Sequence, residues 1–298
     1  MAERFDSIFR PGLFDGKTLL VTGGGTGIGR CTAHELAALG ANVVIAARRP
    51  EPLAATAAEI ARAGGRCETA LLDVRDEKAV DATVAGLVAK HGRIDGLVNN
   101  AGGQFVQPAA RISPNGWRAV IDLNLNGTFL MSSALYRHSL QAHGGSIVNV
   151  IADVWTGYPG MAHMAAARAG VANLTITLSM EWAAAGVRVN SVAPGTILSS
   201  GMLTYPREVQ EIAAQGAAAS PPARLGTESE VSAAIVFLLS PAAAYVTGVT
   251  LAVDGGSQFH KDRLLPMGRH RGLPRWDGFP LQADFSGTPF APRDEPES

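Results

Sequence analysis

The stretch Thr22–Gly29 reads TGGGTGIG and stands between a short apolar run and a helical pattern. Glycines at these places let the backbone turn tightly and approach a pyrophosphate, which is held at the N-terminus of the following helix. Glycine-rich turns are common, so the position between a predicted strand and a predicted helix gives this one its meaning. The stretch predicts a dinucleotide site formed by Gly23, Thr26, Gly27, Ile28 and Gly29.

Short runs rich in Val, Ile and Leu alternate along the chain with longer helical patterns. The runs lack polar alternation, which is typical of strands buried on both faces of a parallel sheet. The predicted strands are Thr18–Val21, Asn42–Ala46, Glu68–Leu72, Gly96–Asn99, Ser146–Ile151, Arg188–Val192 and Val249–Val253. The predicted helices are Gly27–Leu39, Pro50–Ala63, Glu77–His91, Pro114–Gln141, Met161–Ala184 and Glu228–Leu239. The alternation predicts an α/β fold with a single-domain Rossmann architecture, a doubly wound parallel seven-stranded sheet.

Two stretches fall outside the alternation. Residues 198–222 form an Ala-rich insertion, interpreted either as a lid over a substrate or as a helical surface excursion. Residues 257–298 form a Pro-rich C-terminal extension beyond a Rossmann domain that spans residues 1–256. The last part, PFAPRDEPES, is predicted to be disordered. For the aromatic part, with Trp276, Phe279 and Phe285, the alternative is packing on a neighbouring subunit.

The bulk composition excludes several classes of partner. The net charge of -1 over 298 residues gives no reason to expect nucleic acid or an anionic membrane. No stretch approaches the ~18 apolar residues of a membrane span. Cys31 and Cys67 lack the spacing of a zinc site, so we expect no metal. The N-terminal MAERFDSIFRPG does not read as a signal peptide, nor the C-terminal EPES as a peroxisomal address, so a cytoplasmic protein is expected.

The end of the second predicted strand bears on the choice between NAD and NADP. An acidic residue there would bind the ribose hydroxyl of NAD, but this chain has Ala47, Arg48 and Arg49 instead. Two guanidinium groups favour a 2′-phosphate by charge and by bidentate geometry. The alternative is that the arginines cap a solvated helix start. We expect NADP(H) to be preferred over NAD(H).

Further cofactor contacts are expected at the ends of later strands. Asp73 and Val74 end the third strand, where a carboxylate can accept a hydrogen bond from an adenine amino group. The segment after the sixth strand is expected to bring backbone amides to the nicotinamide carboxamide. The remaining predicted cofactor residues are Asn100, Ala101, Gly102, Pro194, Gly195 and Ile197.

In this order the motifs resemble the short-chain dehydrogenase/reductase family, from about Leu13 to Gly256. The matching stretches are TGGGTGIG, NNAG at 99–102, Asn124 within DLNL at 122–125, RVNSVAPG at 188–195 and VDGG at 253–256. The resemblance implies a Rossmann domain, hydride transfer with a nicotinamide cofactor, and a homotetramer.

The catalytic set that the resemblance implies is Asn, Ser, Tyr and Lys, and most of it is missing. Asn124 matches, but the serine place holds Ile151-Ala152 and the tyrosine place holds Met164. The lysine place holds Arg168, which can keep the ribose contact and the positive charge. Methionine cannot donate a proton, and arginine stays protonated because its pKa lies above about 12.

A narrower resemblance accounts for these departures. The peroxisomal trans-2-enoyl-CoA reductases are similar to this chain in the run Asn99–Phe105, in Gly116–Val120, in His163–Val171 and in Leu239–Ala243. One departure is Ala172, where the mammalian enzyme has a tyrosine proposed as proton donor. The resemblance implies the reduction of 2-enoyl thioesters, whose enolate needs hydrogen-bond donors rather than an acid at the carbonyl.

The remaining candidate donors are few. His163 is a candidate acid or oxyanion donor, with a helix-start histidine at a subunit interface as the alternative. Tyr158 is a candidate donor, or an aromatic wall of an acyl pocket. Gln104 and Phe105 are expected at the mouth of the site.

We therefore expect an NADPH-dependent oxidoreductase that reduces trans-2-enoyl-CoA thioesters, with Asn124 and Arg168 organising the site. The substrate is a small acyl thioester or a lipid-like molecule. One alternative is a 3-oxoacyl thioester reductase, or an alcohol or aldehyde (terpenoid) dehydrogenase, with a displaced acid. Another alternative is a nucleotide-binding protein with little or no turnover, which the loss of three catalytic residue types suggests.

Overall fold

The computed structural model describes residues 4–259, 275–279 and 283–291. Within them the strands are β1 Thr18–Thr22, β2 Asn42–Ala47, β3 Arg66–Leu71, β4 Gly96–Asn99, β5 Gly145–Val150, β6 Val187–Pro194, β7 Ile197–Leu198, β8 Gly226–Thr227 and β9 Thr250–Val253. Seven of these described strands form one sheet in the order β3-β2-β1-β4-β5-β6-β9, and every neighbouring pair is parallel. The predicted doubly wound Rossmann sheet is therefore confirmed.

Helices cover both faces of this sheet. In the described residues the α-helices are α1 Gly27–Ala38, α2 Pro50–Arg62, α3 Glu77–His91, α4 Pro114–Ile121, α5 Gly127–Leu135, α6 Gln141–His143, α7 Ala162–Glu181, α8 Arg207–Ala219 and α9 Glu228–Leu239. Short 3-10 turns cover Ala109–Arg111, Ala183–Ala185, Ser200–Thr204, Pro241–Ala243 and Ser257–Phe259.

The predicted uniform helix Pro114–Gln141 is interrupted in the structure. Two π-helical segments, Asp122–Asn126 and Tyr136–Leu140, join α4, α5 and α6 into one rod that ends at His143. The first of them contains Asn124, whose side-chain nitrogen donates to the carbonyl oxygen of Val120, one turn earlier. Such π-segments occur often at functional sites, and this one aims Asn124 at the loop after β4.

Strand β1 shows how the sheet divides the core in two. All five of its residues are buried, and successive side chains point to opposite faces. Leu19 and Val21 pack into the cluster that contains residues of α1 and α9, whereas Leu20 packs into the cluster with residues of α3 and α5. Burial on both sides explains why the strand sequences lack polar alternation.

The described part of the C-terminal extension packs on its own chain, and Phe279 and Phe285 are buried there, so for these two residues the alternative of packing on a neighbouring subunit is wrong. Phe279 is 3% exposed and stacks on the His34 ring at 4.2 Å between centroids, with the Arg30 guanidinium 4.6 Å from its ring centre. The Trp276 carbonyl accepts a hydrogen bond from the Thr227 hydroxyl. The contacts tether the extension to α1 and α9. The predicted disorder of PFAPRDEPES concerns residues 292–298 in its last part, which lie outside the described residues.

Glu228, the first residue of α9, is a buried carboxyl where α1, α9, the insertion and the extension meet. Burial raises the pKa of Glu228 to about 7. The charge of Asp277 also raises this pKa, whereas the charge of Arg30 and a hydrogen bond from the Ser200 backbone lower it. The side chain is 5% exposed, so the folded chain holds a proton there that an unfolded chain releases near pH 4.5.

The Glu228→Gln variant should therefore change how stability depends on pH. Because the folded pKa is raised, the wild-type protein should lose stability as the pH rises from about 4.5 to about 7, and E228Q should not share this loss. At pH 8 the variant should gain about 3 kcal/mol in free energy of unfolding relative to wild type. Urea unfolding at pH 5 and pH 8 measures the difference. E208Q, at an exposed glutamate of α8, is the matched control, and equal pH profiles for wild type and E228Q would contradict the assignment.

Candidate active site

A cleft opens at the carboxyl ends of β1, β2, β3 and β4. It has a volume of about 150 Å³ and is lined by Gly23, Gly25, Thr26, Ala46, Ala47, Arg48, Arg49, Pro52, Leu72, Asp73, Val74, Ala101, Gly102 and Leu123. The strand order reverses between β1 and β4, and such a switch point is where open α/β sheets bind ligands. Half of the predicted cofactor residues line this cleft, namely Gly23, Thr26, Arg48, Arg49, Asp73, Val74, Ala101 and Gly102.

The glycine-rich turn fits a pyrophosphate. Gly23 has a φ of 67°, in the region that glycine adopts without strain. A side chain at Gly29 would collide with the Gly23 carbonyl, so helix α1 can start this close to β1 only with glycine there. Thr26 precedes α1 but makes no side-chain cap, which leaves the first N–H groups of the helix available to an anion. Gly27, Ile28 and Gly29 begin α1 and lie outside the lining of the cleft.

Asn100 supports the turn. Its side-chain nitrogen donates to the carbonyl oxygens of Thr22 at 3.0 Å and Gly23 at 3.3 Å, and the Thr22 hydroxyl accepts from the backbone amides of Asn100 and Ala101. These bonds fasten the loop after β4 to the turn after β1. Asn100 is thus placed behind the cleft as a support, whereas Ala101 and Gly102 line it.

Two exposed arginines stand at the far end of the cleft. Arg48 and Arg49 follow β2, and within the described residues neither has an ion-pair partner. Asp73 faces them, and its carboxylate is held by Arg75 through Nη2 at 2.6 Å and Nε at 2.9 Å. This hydrogen bond to Arg75, with a smaller charge effect from Arg48, lowers the pKa of Asp73, which is therefore a carboxylate at neutral pH. Sequence reasoning missed Arg75.

The segment after β6 fits its expected role only in part. The Gly195 amide already donates to the Val253 carbonyl at 3.1 Å, and Pro194 has no N–H to give. The expectation that the Gly195 amide binds the nicotinamide carboxamide is therefore wrong. Ile197 lies in β7 opposite Gly226, whose amide donates to the Thr196 carbonyl. Of the predicted residues in this segment, Ile197 is the one whose amide can still meet the carboxamide.

Asn124 is fully buried and holds the loop after β4. Its side-chain nitrogen donates to the Gly103 carbonyl at 2.8 Å, and its side-chain oxygen accepts from the Gly103 amide at 3.3 Å. Its backbone carbonyl accepts from the Thr128 hydroxyl. With these groups engaged inside the protein, Asn124 organises the site by fixing Gly102 and Gly103 rather than by contacting a substrate.

Arg168 brings a buried positive charge to the same loop. Its Nη1 donates to the Val150 carbonyl at the end of β5, and a side chain at Gly102 would collide with its Nη2. Burial lowers the pKa of Arg168 to about 10, so the guanidinium stays charged at neutral pH. No carboxylate in the described ranges pairs with it, and a buried charge of this kind is costly without a partner.

Beyond Arg168 the site is walled by apolar side chains. Val120, Val154, Met161 and Met164 form a buried cluster, here called the Met164 cluster, and Ala152 and Tyr205 pack against it. Met164 holds the tyrosine place and Ile151-Ala152 the serine place, so neither place offers a hydroxyl. Tyr205 comes from the insertion and was missed, because its position in the sequence carries no motif.

His163 is fully buried within the chain, so the alternative of a histidine at a subunit interface is wrong. Its Nδ1 accepts from the Met164 amide at 2.8 Å, its ring meets Phe105 edge-on at 4.4 Å, and its Nε2 has no partner among the described residues. Burial lowers the pKa of His163, although a hydrogen bond with the Met161 backbone raises it, and the lowered pKa favours a neutral ring.

Tyr158 lies on the loop after β5 and is 40% exposed. Its pKa is raised mainly by partial burial, with further raising effects of Tyr205 and Asp153. Asp153 has a raised pKa because of burial and of Asp254. The Gln104 amide donates to the Tyr205 hydroxyl at 2.5 Å and joins the loop after β4 to the insertion at this mouth.

The described part of the chain has neither a cluster of metal-ligating side chains nor a membrane-spanning helix. No group of three or more His, Cys, Asp or Glu side chains there is placed to hold a metal ion. No helix in the same residues is both long and apolar enough to span a membrane.

The sheet topology and the cleft at its switch point define a dinucleotide-binding protein of the Rossmann class. The chain belongs to the short-chain dehydrogenase/reductase family whose model, described as Enoyl-(Acyl carrier protein) reductase, matches residues 23–258. The family resemblance drawn from the motifs is thus confirmed.

Curated relatives and solved structures agree with this assignment. A Bacillus subtilis protein named "Probable 2,4-dienoyl-CoA reductase" is 40% identical over 243 residues, 80% of this chain and 96% of that protein. The peroxisomal 2,4-dienoyl-CoA reductase of Rattus norvegicus is 37% identical over 257 residues, 86% of this chain and 88% of that protein. These relatives support an enoyl-CoA reductase-like member of the family.

Among solved structures, a citronellol catabolism dehydrogenase of Pseudomonas aeruginosa is 52% identical with a TM-score of 0.78, and the match covers 85% of this chain and 100% of that one. A short chain dehydrogenase of Bacillus anthracis is 38% identical with a TM-score of 0.79, covering 84% of this chain and 100% of that one.

Proposed function

We propose that this protein is an NADPH-dependent reductase of α,β-unsaturated acyl thioesters of the 2-enoyl-CoA and 2,4-dienoyl-CoA type. The observation that carries the proposal is a buried, unpaired Arg168 beside a cofactor cleft in which no hydroxyl stands at the serine and tyrosine places. The names of the Bacillus and rat relatives support the substrate class.

The cleft residues would hold the cofactor in a definite order. The start of α1 with Thr26 would bind the pyrophosphate, Arg48 and Arg49 the 2′-phosphate, and Asp73 the adenine. When bound, the cofactor supplies a hydride to the β-carbon of an enoyl thioester, or to its vinylogous carbon in a dienoyl thioester.

The protein's own task is then to stabilise charge. Reduction of a conjugated thioester places negative charge on the thioester oxygen, and donors aimed at that oxygen lower the barrier. The free-energy cost of burying the Arg168 charge is met when the protein folds. The site has low polarity, so the guanidinium interacts strongly with negative charge that develops on the substrate. The last proton goes to carbon and can come from water, so a phenol with a lysine-tuned pKa is dispensable in this reaction but not in ketone reduction.

Turnover measurements test the proposal directly. NADPH oxidation should be seen with trans-2-decenoyl-CoA or 2,4-decadienoyl-CoA and should be slower by about 100-fold or more with 3-oxodecanoyl-CoA, which needs the missing acid. Faster turnover of the 3-oxo thioester would instead show a displaced acid. Cofactor binding without turnover of any of them would support the non-catalytic alternative.

A second candidate is a dehydrogenase of an acyclic terpenoid alcohol. It is favoured by the 52% identity to the Pseudomonas structure described as a citronellol catabolism dehydrogenase. Citronellol with oxidised cofactor belongs in the same assay, and its oxidation without enoyl thioester reduction would decide for this candidate.

The choice of NADP over NAD rests on Arg48 and Arg49. Removing one guanidinium contact to a 2′-phosphate, in R48A or R49A, should raise the Kd for NADPH by about 10- to 100-fold, because charged hydrogen bonds contribute about 1.5–3 kcal/mol. The Kd for NADH should not change. Fluorescence titration measures both constants, with R62A on the exposed face of α2 as the matched control. Equal loss of both cofactors would contradict the 2′-phosphate assignment.

We also propose that the chain forms a homotetramer. Strand β9 lies at the edge of the sheet, and Tyr245, Val249 and Leu251 beside it are exposed apolar side chains. Sedimentation equilibrium should give about four times the chain mass of 30.9 kDa. L251E should dissociate the assembly, whereas I212E on α8 should not, and a monomer mass for the wild-type protein would refute the proposal.

A further inference from the structure

Tyr205 reaches the reaction site from a part of the chain that carries no catalytic motif. It follows the 3-10 turn Ser200–Thr204 and is half-buried, with its ring against the Met164 cluster. Ala152, at the serine place, packs on the same cluster. The insertion thus brings a phenol to the wall from which both motif hydroxyls are missing.

The Tyr205 hydroxyl is oriented by a single partner. The Gln104 side-chain nitrogen donates to it at 2.5 Å, and in the described residues the hydroxyl has no second hydrogen-bond partner. Its oxygen is therefore the acceptor in this bond, and its own proton is left to donate. A phenol that accepts a hydrogen bond becomes a stronger donor, because linked hydrogen bonds polarise one another.

The backbone around Tyr205 is held in place from both sides. The buried Gln210 side chain donates to the Tyr205 carbonyl at 2.9 Å, so the first turn of α8 fixes the residue. Arg207 in the same turn donates to the Gly287 carbonyl of the C-terminal extension at 2.6 Å. A donor that is fixed before the substrate arrives costs little reorganisation when charge develops.

We propose that Tyr205 is a catalytic residue whose hydroxyl donates a hydrogen bond to the thioester oxygen of the bound substrate. This inference rests on the proposed function, since it assigns the second donor, beside Arg168, for the oxygen on which enolate charge develops. Tyr205 keeps its proton throughout, because the proton of the product is added to carbon. The insertion at 198–222 thereby supplies a part of the oxyanion site.

Tyr158 is the other phenol that could donate to the thioester oxygen, and its variant is the control for Y205F. It is a phenol at the same mouth, it is 40% exposed, and Tyr205 contributes to the raised pKa of Tyr158. Within the described ranges its hydroxyl has no hydrogen-bond partner, so nothing orients it toward an oxyanion. The Y158F variant removes the same atom as Y205F at a position that the proposal leaves out of the reaction.

The kinetic test compares these two variants. Y205F should lower kcat for trans-2-decenoyl-CoA about 100-fold, the usual effect of losing one oxyanion donor, with the Kd for NADPH and the melting temperature unchanged. Y158F should stay within about threefold of wild type, because a wall residue contributes contact rather than charge stabilisation.

A spectroscopic readout does not require turnover. trans-2-Decenoyl-CoA labelled with ¹³C at C1 is bound with NADP⁺, and isotope-edited infrared spectra report the carbonyl stretch. The stretch should move to lower frequency in wild type and Y158F, and this shift should be lost in Y205F. A wild-type shift that Y205F retains, or no shift in wild type, would overturn the role of Tyr205 whatever the turnover. A Tyr205-dependent shift without reduction of any unsaturated thioester would support Tyr205 and overturn the proposed reaction.

Discussion

The buried positive charge of Arg168 is the constraint on which the site depends. A guanidinium in a low-polarity environment is tolerated only when its N–H groups find oxygen acceptors, and the Val150 carbonyl at the end of β5 provides one. The opposite side of the guanidinium presses on Gly102, which can therefore carry no side chain. Asn124 fixes the neighbouring Gly103 from a π-helical turn. The Arg168 charge, the Gly102-Gly103 loop and the π-helical turn thus form one arrangement. Because the Arg168 guanidinium has no carboxylate partner in the described residues, it is available to a negatively charged group of a ligand.

The places of the usual serine and tyrosine are apolar, and the donors that we propose come from other parts of the chain. Met164 and Ala152 make the wall apolar, which raises the strength of any charge or dipole that faces it. The Tyr205 phenol reaches this wall from the insertion and is oriented by Gln104, whereas the Tyr158 hydroxyl, on the loop after β5, has no such partner in the described residues. Such a site suits a reaction that builds an enolate and adds its proton at carbon. It suits ketone reduction poorly, because an alkoxide needs an acid at the oxygen itself.

The sequence predicts the fold well because the fold depends on local, repeated signals. Buried strands such as Thr18–Thr22 read as apolar runs, and the turn at Gly23 must be glycine for backbone reasons alone. The cleft follows from these, since strand order and the helix start place Arg48 and Asp73 at one edge. The alternation also predicts the helices, but not the π-helical interruption that contains Asn124 and its hydrogen bonds to the distant Gly103.

The features that sequence reasoning missed are all tertiary. Tyr205 lies far along the chain from Met164, and only the folded insertion brings the two together. Arg75 is relevant to the site only because its guanidinium forms an ion pair with Asp73. Phe279 is an aromatic residue of the kind found at subunit interfaces, yet it is buried against α1 of its own chain. The extension folds back far enough for Phe279 to stack on His34. Periodicity and motif spacing carry no information on such contacts.

The most direct measurement is a competition experiment with NADPH that carries deuterium at the transferable C4 position. Equal amounts of trans-2-decenoyl-CoA and 3-oxodecanoyl-CoA are mixed with the protein, and the products are resolved by mass spectrometry. A site built around Arg168 for an enolate predicts saturated decanoyl-CoA labelled at C3, with little labelled 3-hydroxydecanoyl-CoA. Labelled 3-hydroxydecanoyl-CoA as the main product would contradict that view, because it would require an acid that the tyrosine place does not supply.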